Sequence, residues 1–207
     1  MRSEPEGTAP QAEWREQGVT QAPTSTPGCV THTRGWIGPA EADMLFATLS
    51  RDIPWEQKPA AFGTMTPRLT AWFGAEVYTY SGIRNTPNPW LPGLDVLRLR
   101  LEAETGATYN SCLANLYRDG RDSVAWHADD EPELGIDPTI ASISLGGVRD
   151  FKLRHNQSRA GSNFALGPGD LMVMRAESQS AYQHSVPKRA RAEARINLTF
   201  RKFRGAP

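Results

Sequence analysis

The stretch Arg195-Ile-Asn-Leu-Thr-Phe-Arg201 shows most clearly the pattern that decides the fold class of this chain. Its residues alternate between polar and apolar types, which is the period of a β-strand with two different faces. The apolar face is suited to packing into a core. The other face presents two guanidinium groups and an amide, so its surroundings determine what the strand does.

The polar face of this strand is formed by every second residue, namely Arg195, Asn197, Thr199 and Arg201. It could be the solvated face of an edge strand, where charge discourages aggregation, and this is the simpler interpretation of the strand alone. Alternatively it lines a barrel interior, where each arginine offers a planar fork for a carboxylate. Two buried arginines without an anion would be very unfavourable, so the second interpretation requires a small bound dianion.

Short runs of β-forming residues with a period of two continue through the second half of the chain. They lie near residues 110–117, 139–146, 149–154, 163–166, 171–175, 181–186 and 194–203. Gly-Gly, Gly-Pro-Gly-Asp and Asp-Pro sequences separate several of them. Many short strands without long helices between them predict an antiparallel sandwich or barrel, in a mostly β fold of the α+β kind.

Two helices are predicted ahead of these strands. The first begins at Pro39, with acidic residues near its positive end. The second follows the proline-rich stretch 85–93, places three leucines at helical spacing and stops at Gly106. We expect both helices to pack outside the β core.

The length and composition predict one folded domain with a tail. The chain has 207 residues, 39% of them hydrophobic, which suits one substantial core and is too short for two ordinary domains. Residues 1–33 are rich in Pro, Thr, Gln, Glu and Gly without periodicity, so we predict a flexible extension there. The domain is then expected to span residues 34–207.

Charge and targeting signals exclude some functions. The formal net charge is zero, which argues against a general nucleic-acid coat protein but not against a local basic groove. No apolar run is long enough to span a membrane, and the acidic N-terminus is unlike a secretory signal. The two distant cysteines, Cys29 and Cys112, suit reduced thiols. We therefore expect a cytoplasmic protein, or a nuclear one in a eukaryote. We also expect a monomer.

Three residues of the second half have the types and spacing of metal ligands. His127-Ala-Asp129 is an HxD pair, and residues i and i+2 of an extended chain point to the same side. His184, 57 residues further on, could supply a third ligand. Two histidines and one carboxylate form the facial triad of non-haem Fe(II) oxygenases. An HxD pair is more often a surface or capping pair, and the same ligands suit a hydrolytic zinc site, so the triad alone does not decide the chemistry.

A second polar pair, Asn115-Leu-Tyr117, precedes the HxD pair on a predicted strand. Both side chains can donate hydrogen bonds to a carboxylate. The alternative is two polar residues on the wet face of a strand. Together with the triad, the pair favours an interior that binds an anion.

Taken together, these residues resemble the AlkB family of DNA and RNA dealkylases, and most of all its animal homologues that act on single-stranded substrates. The resemblance runs from about Trp36 to Arg204. Besides the arginine strand it rests on six ordered stretches, PRLTAWFG (67–74), YTYS (78–81), NLYR (115–118), DSVAWHADDE (122–131), IASISLG (140–146) and QHSVP (183–187).

The resemblance implies a double-stranded β-helix, or jelly-roll, core. It also implies a dioxygenase that uses Fe(II) and 2-oxoglutarate to oxidise N-methyl groups of bases and release formaldehyde, succinate and CO₂. By the same resemblance, His127, Asp129 and His184 are the iron ligands and the catalytic centre.

The resemblance also assigns the residues that bind 2-oxoglutarate. Arg195 would hold the distal carboxylate, with Tyr117 and Asn197 assisting. Arg201 and Asn115 would lie by the carboxylate next to the keto group.

For the substrate, the resemblance implies that a methylated base leaves its stack and enters a pocket. Tyr78, Tyr80 and the ring of His127 would surround the base, and Asp130 would face its exocyclic amino group. A carboxylate there favours the cationic bases that N-methylation creates, such as 1-methyladenine and 3-methylcytosine. The tyrosines could instead be ordinary sheet packing. The short connection after Arg154 offers little to grip a second strand and favours single-stranded DNA.

Basic residues cluster around the arginine strand and could contact phosphates, although a charge run is also commonly a solvated face: Lys188, Arg189, Arg191, Lys202 and Arg204. Two alternatives stay open. One is the same chemistry on RNA or protein. The other is a catalytically idle nucleic-acid-binding module on the same fold, against which the intact triad and both arginines argue.

Overall fold

The computed structural model describes residues 27–59, 63–74, 78–80 and 83–204, and only the backbone of residues 78–80 and 83–85. Within these ranges the α-helices are α1 (Pro39–Asp52), α2 (Pro92–Thr105) and α3 (Ser178–Ala181), and Pro132–Leu134 forms a short 3-10 helix. The strands are β1 (Val30–Thr33), β2 (Leu69–Gly74), β3 (Tyr78–Tyr80), β4 (Ile83–Asn85), β5 (Ser111–Tyr117), β6 (Val124–His127), β7 (Ile140–Gly146), β8 (Arg149–His155), β9 (Gly161–Leu166), β10 (Leu171–Met174), β11 (Tyr182–Val186) and β12 (Arg195–Arg201).

The described strands form two main sheets and a separate hairpin. The six-stranded sheet has the order β1-β10-β7-β12-β5-β2, the four-stranded sheet has the order β6-β11-β8-β9, and β3 pairs with β4. All neighbouring strands are antiparallel. This is the arrangement of a jelly roll, so the expectation of a mostly β fold with this core is confirmed.

The arginine strand β12 lies inside the six-stranded sheet, between β5 and β7. Its apolar residues join a core cluster that also contains leucines of both long helices, namely Leu49, Leu94, Leu97 and Leu101. The helices therefore cover the outer face of this sheet. The polar residues of β12 point to the opposite side, and all of β12 is buried, so the interpretation as a solvated edge strand is wrong.

The seven predicted strands and both predicted helices are confirmed. Helix α1 begins with Pro39, and α2 ends before Gly106, whose φ of 70° is the left-handed conformation that suits a glycine at a helix end. None of the described helices is long and apolar enough to cross a membrane.

The strands that the sequence pattern missed lack clear alternation or are short. In β2 the four central residues are all buried, so its two faces do not differ in polarity. Strand β6 has only four residues. Strand β1 lies within the segment predicted to be a flexible extension, but Val30–Thr33 pairs in register with β10. The expected domain boundary at residue 34 is therefore too late.

The fully buried Arg149 ties three parts of the backbone together. Its guanidinium donates hydrogen bonds to the carbonyl oxygens of Asp119, Asp122 and Pro187, at 3.2, 2.7 and 2.7 Å. It also lies 5.2 Å from the ring centre of Tyr117. Burial lowers the pKa of Arg149, and the three carbonyl oxygens offset part of the cost of burying its charge.

We predict that Arg149→Ala lowers the free energy of unfolding by about 3 kcal/mol or more, because hydrogen bonds to a charged group contribute about 1.5–3 kcal/mol each and do not add fully. Urea denaturation followed by circular dichroism measures this. The control is Arg121→Ala, whose side chain is 89% exposed and should change stability by less than about 0.5 kcal/mol. Equal free energies of unfolding for the two variants would contradict the stabilising role of the Arg149 hydrogen bonds.

Candidate metal centre and anion pocket

A cavity between the two sheets gathers most of the polar residues singled out in the sequence. It is lined by residues of both sheets. Its polar lining consists of Arg68, Asn115, Tyr117, His127, Asp129, Ser142, His184, Arg195, Asn197, Thr199 and Arg201. The polar face of β12 is thus the floor of this cavity.

Strand pairing brings the three candidate metal ligands together. His127 ends β6 and His184 lies on β11, and the two residues are direct partners in the antiparallel register. Asp129 follows two residues after His127. Ligand atoms of all three residues lie within 4.8 Å of one another. The triad inferred from the sequence is therefore one cluster in space.

The protonation states of the cluster suit a metal ion. The Nδ1 atom of His127 lies 2.8 Å from the carbonyl oxygen of Ala125 and therefore donates to it, which leaves Nε2 facing Asp129. Burial and the neighbouring His127 lower the pKa of His184 to about 3, so its imidazole is neutral at pH 7. Burial alone would raise the pKa of Asp129, but the charge of Arg201 and the two imidazoles bring it down to about 2. Neutral imidazole and ionised carboxylate are the forms that bind metals.

The distances and the unmet hydrogen-bonding groups fit a divalent ion. His127 Nε2 and Asp129 Oδ1 are 3.7 Å apart, and two ligands at about 2.1 Å from one ion lie about 3–4 Å apart. Asp129 Oδ1 and His184 Nδ1 are buried and have no hydrogen-bond partner among the described residues. Buried polar atoms normally have hydrogen-bond partners. This cluster therefore has the ligand types of a metal site and buried ligand atoms that are free to coordinate an ion.

Arg201 holds the other oxygen of the carboxylate. Its Nη2 donates to Asp129 Oδ2 at 2.7 Å, and the side chains of both residues are at least 96% buried. The pair fixes the orientation of the carboxylate, so that Oδ1 faces the imidazoles. Because Arg201 lies beside a metal ligand, its place suits the prediction that it contacts the carboxylate next to the keto group.

Arg195, at the other end of the floor, has the features of an anion site. Its Nη2 donates to Ser144 Oγ at 2.7 Å, and its guanidinium lies 5.4 Å from the ring centre of Tyr117. Its Nε and Nη1 have no hydrogen-bond partner in the described part of the chain. Burial lowers the pKa of Arg195 to about 10, which still leaves it charged at neutral pH. Two free buried donors on one planar group match a carboxylate.

The remaining predicted cosubstrate residues lie between the two arginines. Asn197 donates to Ser142 Oγ at 2.6 Å and accepts from Thr199 at 2.9 Å. Asn115 is its partner in the pairing of β5 with β12. All five residues predicted to bind 2-oxoglutarate thus line the same cavity. Their contacts with the cosubstrate stay a prediction.

Two residues of the site were missed in the sequence. Arg68 is 8% exposed, lines the cavity and donates to Asn115 Oδ1 at 2.7 Å. It lies in the quoted stretch PRLTAWFG, but an arginine just before a strand has no pattern that marks it as buried. Among the described residues that line the cavity, Asp129 is the one carboxylate and is paired with Arg201, so none of them supplies a carboxylate counterion to Arg68 or Arg195.

The second missed residue is Gln179 on α3. It is 3% exposed, and its Oε1 accepts a hydrogen bond from the backbone N–H of Asp129 at 2.9 Å. Its Nε2 donates to Ser178 Oγ at 3.1 Å. Gln179 thereby joins the HxD segment to the helix that leads into the strand of His184. No local sequence signal distinguishes it from an exposed glutamine of a short helix.

The residues predicted to contact a base are only partly described. Tyr78 and Tyr80 lie on β3, but their side chains are outside the described part of the structure, so their role stays a prediction. Asp130 is exposed and lines an open cleft that also contains His127 and Glu131. His127 borders both this cleft and the inner cavity. The cleft therefore leads from solvent to the metal cluster.

The predicted basic cluster divides in the structure. Lys188, Arg189 and Arg191 line an open cleft with Arg121, away from the residues of the inner cavity. Arg189 is 3.8 Å from Asp150. Lys202 and Arg204 are exposed beyond the end of β12. The structure does not bring these cations together at the mouth of the metal cluster.

We predict that His184→Ala lowers the affinity for a divalent metal ion by more than about 100-fold, because the two remaining ligands hold such an ion poorly. Titration with Mn(II) under calorimetry measures this, and circular dichroism checks the fold. His155→Ala removes an imidazole outside the cavity and should leave the affinity unchanged. A His184→Ala protein that still binds Mn(II) like the wild type rules the metal assignment out.

The chain is similar to proteins of one enzyme family. The family model described as 2OG-Fe(II) oxygenase superfamily matches residues 29–201. Alpha-ketoglutarate-dependent dioxygenase alkB homolog 3 of Rattus norvegicus is 43% identical over 191 residues, which cover 84% of this chain and 65% of that protein. Its Homo sapiens counterpart is also 43% identical, with 84% and 67% covered. The chain thus spans about two thirds of the length of these relatives.

Two further similarities extend the comparison. DNA oxidative demethylase ALKBH2 of Mus musculus is 39% identical over 184 residues, which cover 81% of this chain and 77% of that protein. The solved structure of OsALKBH1 superposes with a TM-score of 0.62 at 16% identity, covering 88% of this chain and 99% of that one. At this identity the structural likeness concerns the fold alone.

Proposed function

This chain belongs to the AlkB family of the 2OG-Fe(II) oxygenase superfamily, and on that premise we propose that it is an oxidative demethylase of N-alkylated nucleic-acid bases. Fe(II) and 2-oxoglutarate are its cofactor and cosubstrate. The observation that carries the proposal is the shared cavity. The triad of His127, Asp129 and His184 meets there with two buried arginines of one strand.

When bound, Fe(II) with O₂ and 2-oxoglutarate supplies the oxidising power that hydroxylates an N-methyl group, with release of succinate and CO₂. The hydroxymethyl group then leaves as formaldehyde and restores the base. His127, Asp129 and His184 would hold the ion. The Arg201–Asp129 pair keeps the carboxylate ionised and oriented, and Gln179 holds the backbone of the same residue.

The cosubstrate would lie along the floor formed by β12. The two free donors of Arg195 would bind the distal carboxylate, with Tyr117 and Asn197 beside it. Arg201 and Asn115 would contact the carboxylate next to the keto group. Burial in the cavity keeps water away from these charge-assisted hydrogen bonds and so strengthens them.

The target base would enter through the open cleft. Asp130 and Glu131 lie there beside His127, and their carboxylates favour a cationic base over a neutral one. Tyr78 and Tyr80, on the β3–β4 hairpin, are the proposed stacking partners. A base stacked on an aromatic side chain gains about 1–3 kcal/mol.

Single-stranded DNA carrying 1-methyladenine or 3-methylcytosine is the proposed substrate. The connection between β8 and β9 consists only of residues 156–160, which offers little to hold a complementary strand. Extracting a base from a duplex costs a few kcal/mol, and a protein without a gripping loop has little to offset this. We expect the protein to act as a monomer in the compartment of its nucleic acid, cytoplasmic or nuclear.

Arg195→Lys tests the cosubstrate site. Lysine keeps the charge but loses the planar fork, so the KM for 2-oxoglutarate should rise more than about tenfold. Succinate formation at varied 2-oxoglutarate measures this, with the exposed Arg191→Lys as the matched control. An unchanged KM in Arg195→Lys would show that the cosubstrate binds elsewhere.

Asp130→Ala tests the recognition of the base. Demethylation of single-stranded DNA should fall, while 2-oxoglutarate decarboxylation without substrate persists, because the metal ligands are intact. Asp130→Asn keeps a hydrogen-bond acceptor but removes the charge, so its comparison with Asp130→Ala shows how much of the effect is due to the charge. Formaldehyde release from methylated DNA and RNA strands and duplexes at equal salt is the readout. Equal rates on duplex and single strand contradict the strand preference, and hydroxylation of a peptide instead of any base contradicts the substrate class.

A further inference from the structure

The outer face of the four-stranded sheet carries an exposed aromatic ring among cations. We call this surface the outer stacking face and define it by Trp126, Lys152, Arg154 and Gln183. Trp126 is 38% exposed and directly precedes the candidate ligand His127 on β6. Since successive strand residues point to opposite faces, the ring lies outside while the imidazole lines the cavity.

Contacts within the outer stacking face hold its planar groups in place. The Arg154 guanidinium lies 4.2 Å from the ring centre of Trp126, and its Nη2 donates to Gln183 Oε1 at 2.9 Å. An arginine fixed on an indole is a flat, preorganised platform. A base that stacks beside it loses less entropy than one that must first order these side chains.

The outer stacking face carries positive charge that no carboxylate of the described residues neutralises. Lys152 is exposed and lies two residues before Arg154 on β8, on the same side of the strand. Among the described residues, no carboxylate forms an ion pair with either cation. Asp150, the nearest acid along this strand, lies 3.8 Å from Arg189 instead. The surface therefore combines a stacking ring with cations that attract phosphates.

The outer stacking face is continuous with the entrance to the metal cluster. Gln183 contacts Arg154 and also lines the cleft that contains His127 and Asp130. Strand β6 is an edge of its sheet. Gln183 lies on β11, which pairs with β6, so a chain that leaves the cleft past Gln183 meets Trp126 on the adjacent strand.

We propose that the outer stacking face binds the single-stranded segment that flanks the target base, with one flanking base on Trp126 and its backbone beside Lys152 and Arg154. This rests on the proposed function and specifies its substrate. A single strand can bend over the edge of β6, whereas a duplex stays nearly straight over such a distance, because its persistence length is about 150 base pairs. The surface thus favours single-stranded nucleic acid independently of the short β8–β9 connection.

The test compares Trp126→Ala, Trp126→Phe and wild type on a methylated mononucleotide and on a methylated strand of 15 nucleotides. The mononucleotide has no flanking base. Trp126→Ala should lower kcat/KM on the long strand about tenfold or more and change it less than about twofold on the mononucleotide. Trp126→Phe keeps a ring and should recover most of the loss.

Binding provides a readout that does not need turnover. Fluorescence anisotropy with Mn(II), 2-oxoglutarate and a labelled 15-nucleotide strand gives the dependence of affinity on salt. Lys152→Gln should reduce the slope of log K against log salt by about 0.7, the value for one phosphate of a single strand. The matched control Arg191→Gln, in the separate basic cleft, should leave the slope unchanged.

Three outcomes would overturn the proposal. In the first, Trp126→Ala affects both substrates equally, which indicates a structural effect on the neighbouring His127. In the second, it affects neither. In the third, a polyglutamate peptide displaces the strand as well as unlabelled DNA does, which indicates a site for any polyanion. If the wild type demethylates neither substrate, the proposed function fails, while the anisotropy measurement still decides whether this surface binds single strands.

Discussion

The buried ion pair between Arg201 and Asp129 is the interaction on which the rest of the site depends. It joins the last residue of β12 to the segment after β6, and so links the two sheets across the cavity, at 2.7 Å. Breaking such a pair would leave one charge buried without a partner. The pair also commits one carboxylate oxygen to Arg201, and the other oxygen then faces the two imidazoles. The ion pair that joins the two sheets therefore also sets the direction in which Asp129 Oδ1 points toward the metal position.

The same strand makes the core and the cavity depend on each other. The apolar side of β12 packs under the helices, and its polar side forms the cavity floor. A shift of its register by one residue would exchange these two sides. Arg195, at the far end, is buried with two donors unmet by the described residues, so the fold holds a positive charge that an anion would stabilise. The pairing of β12 with β5 and β7 therefore determines which of its side chains line the cavity.

Much of this could be predicted from the sequence, because alternation and end signals are local. The faces of β12, the helix that ends at Gly106 and the HxD pair each follow from a few adjacent residues. Alternation could not tell an interior strand from an edge strand, since that depends on which strands lie beside it. Arg68 and Gln179 were missed because their burial results from packing between distant segments. Strand β2 was missed because both of its faces are buried, so it has no alternation to detect.

The central claim is that the charged interior exists to bind a divalent ion and a dicarboxylate together, and thermal unfolding tests it most directly. A ligand that binds only the folded state raises Tm according to its concentration and affinity. Mn(II) and 2-oxoglutarate together should raise Tm more than the sum of their separate effects, because the dianion would contact both the ion and the arginines. If 2-oxoglutarate leaves Tm unchanged in the presence of saturating Mn(II), the interior does not bind this pair and the account is contradicted.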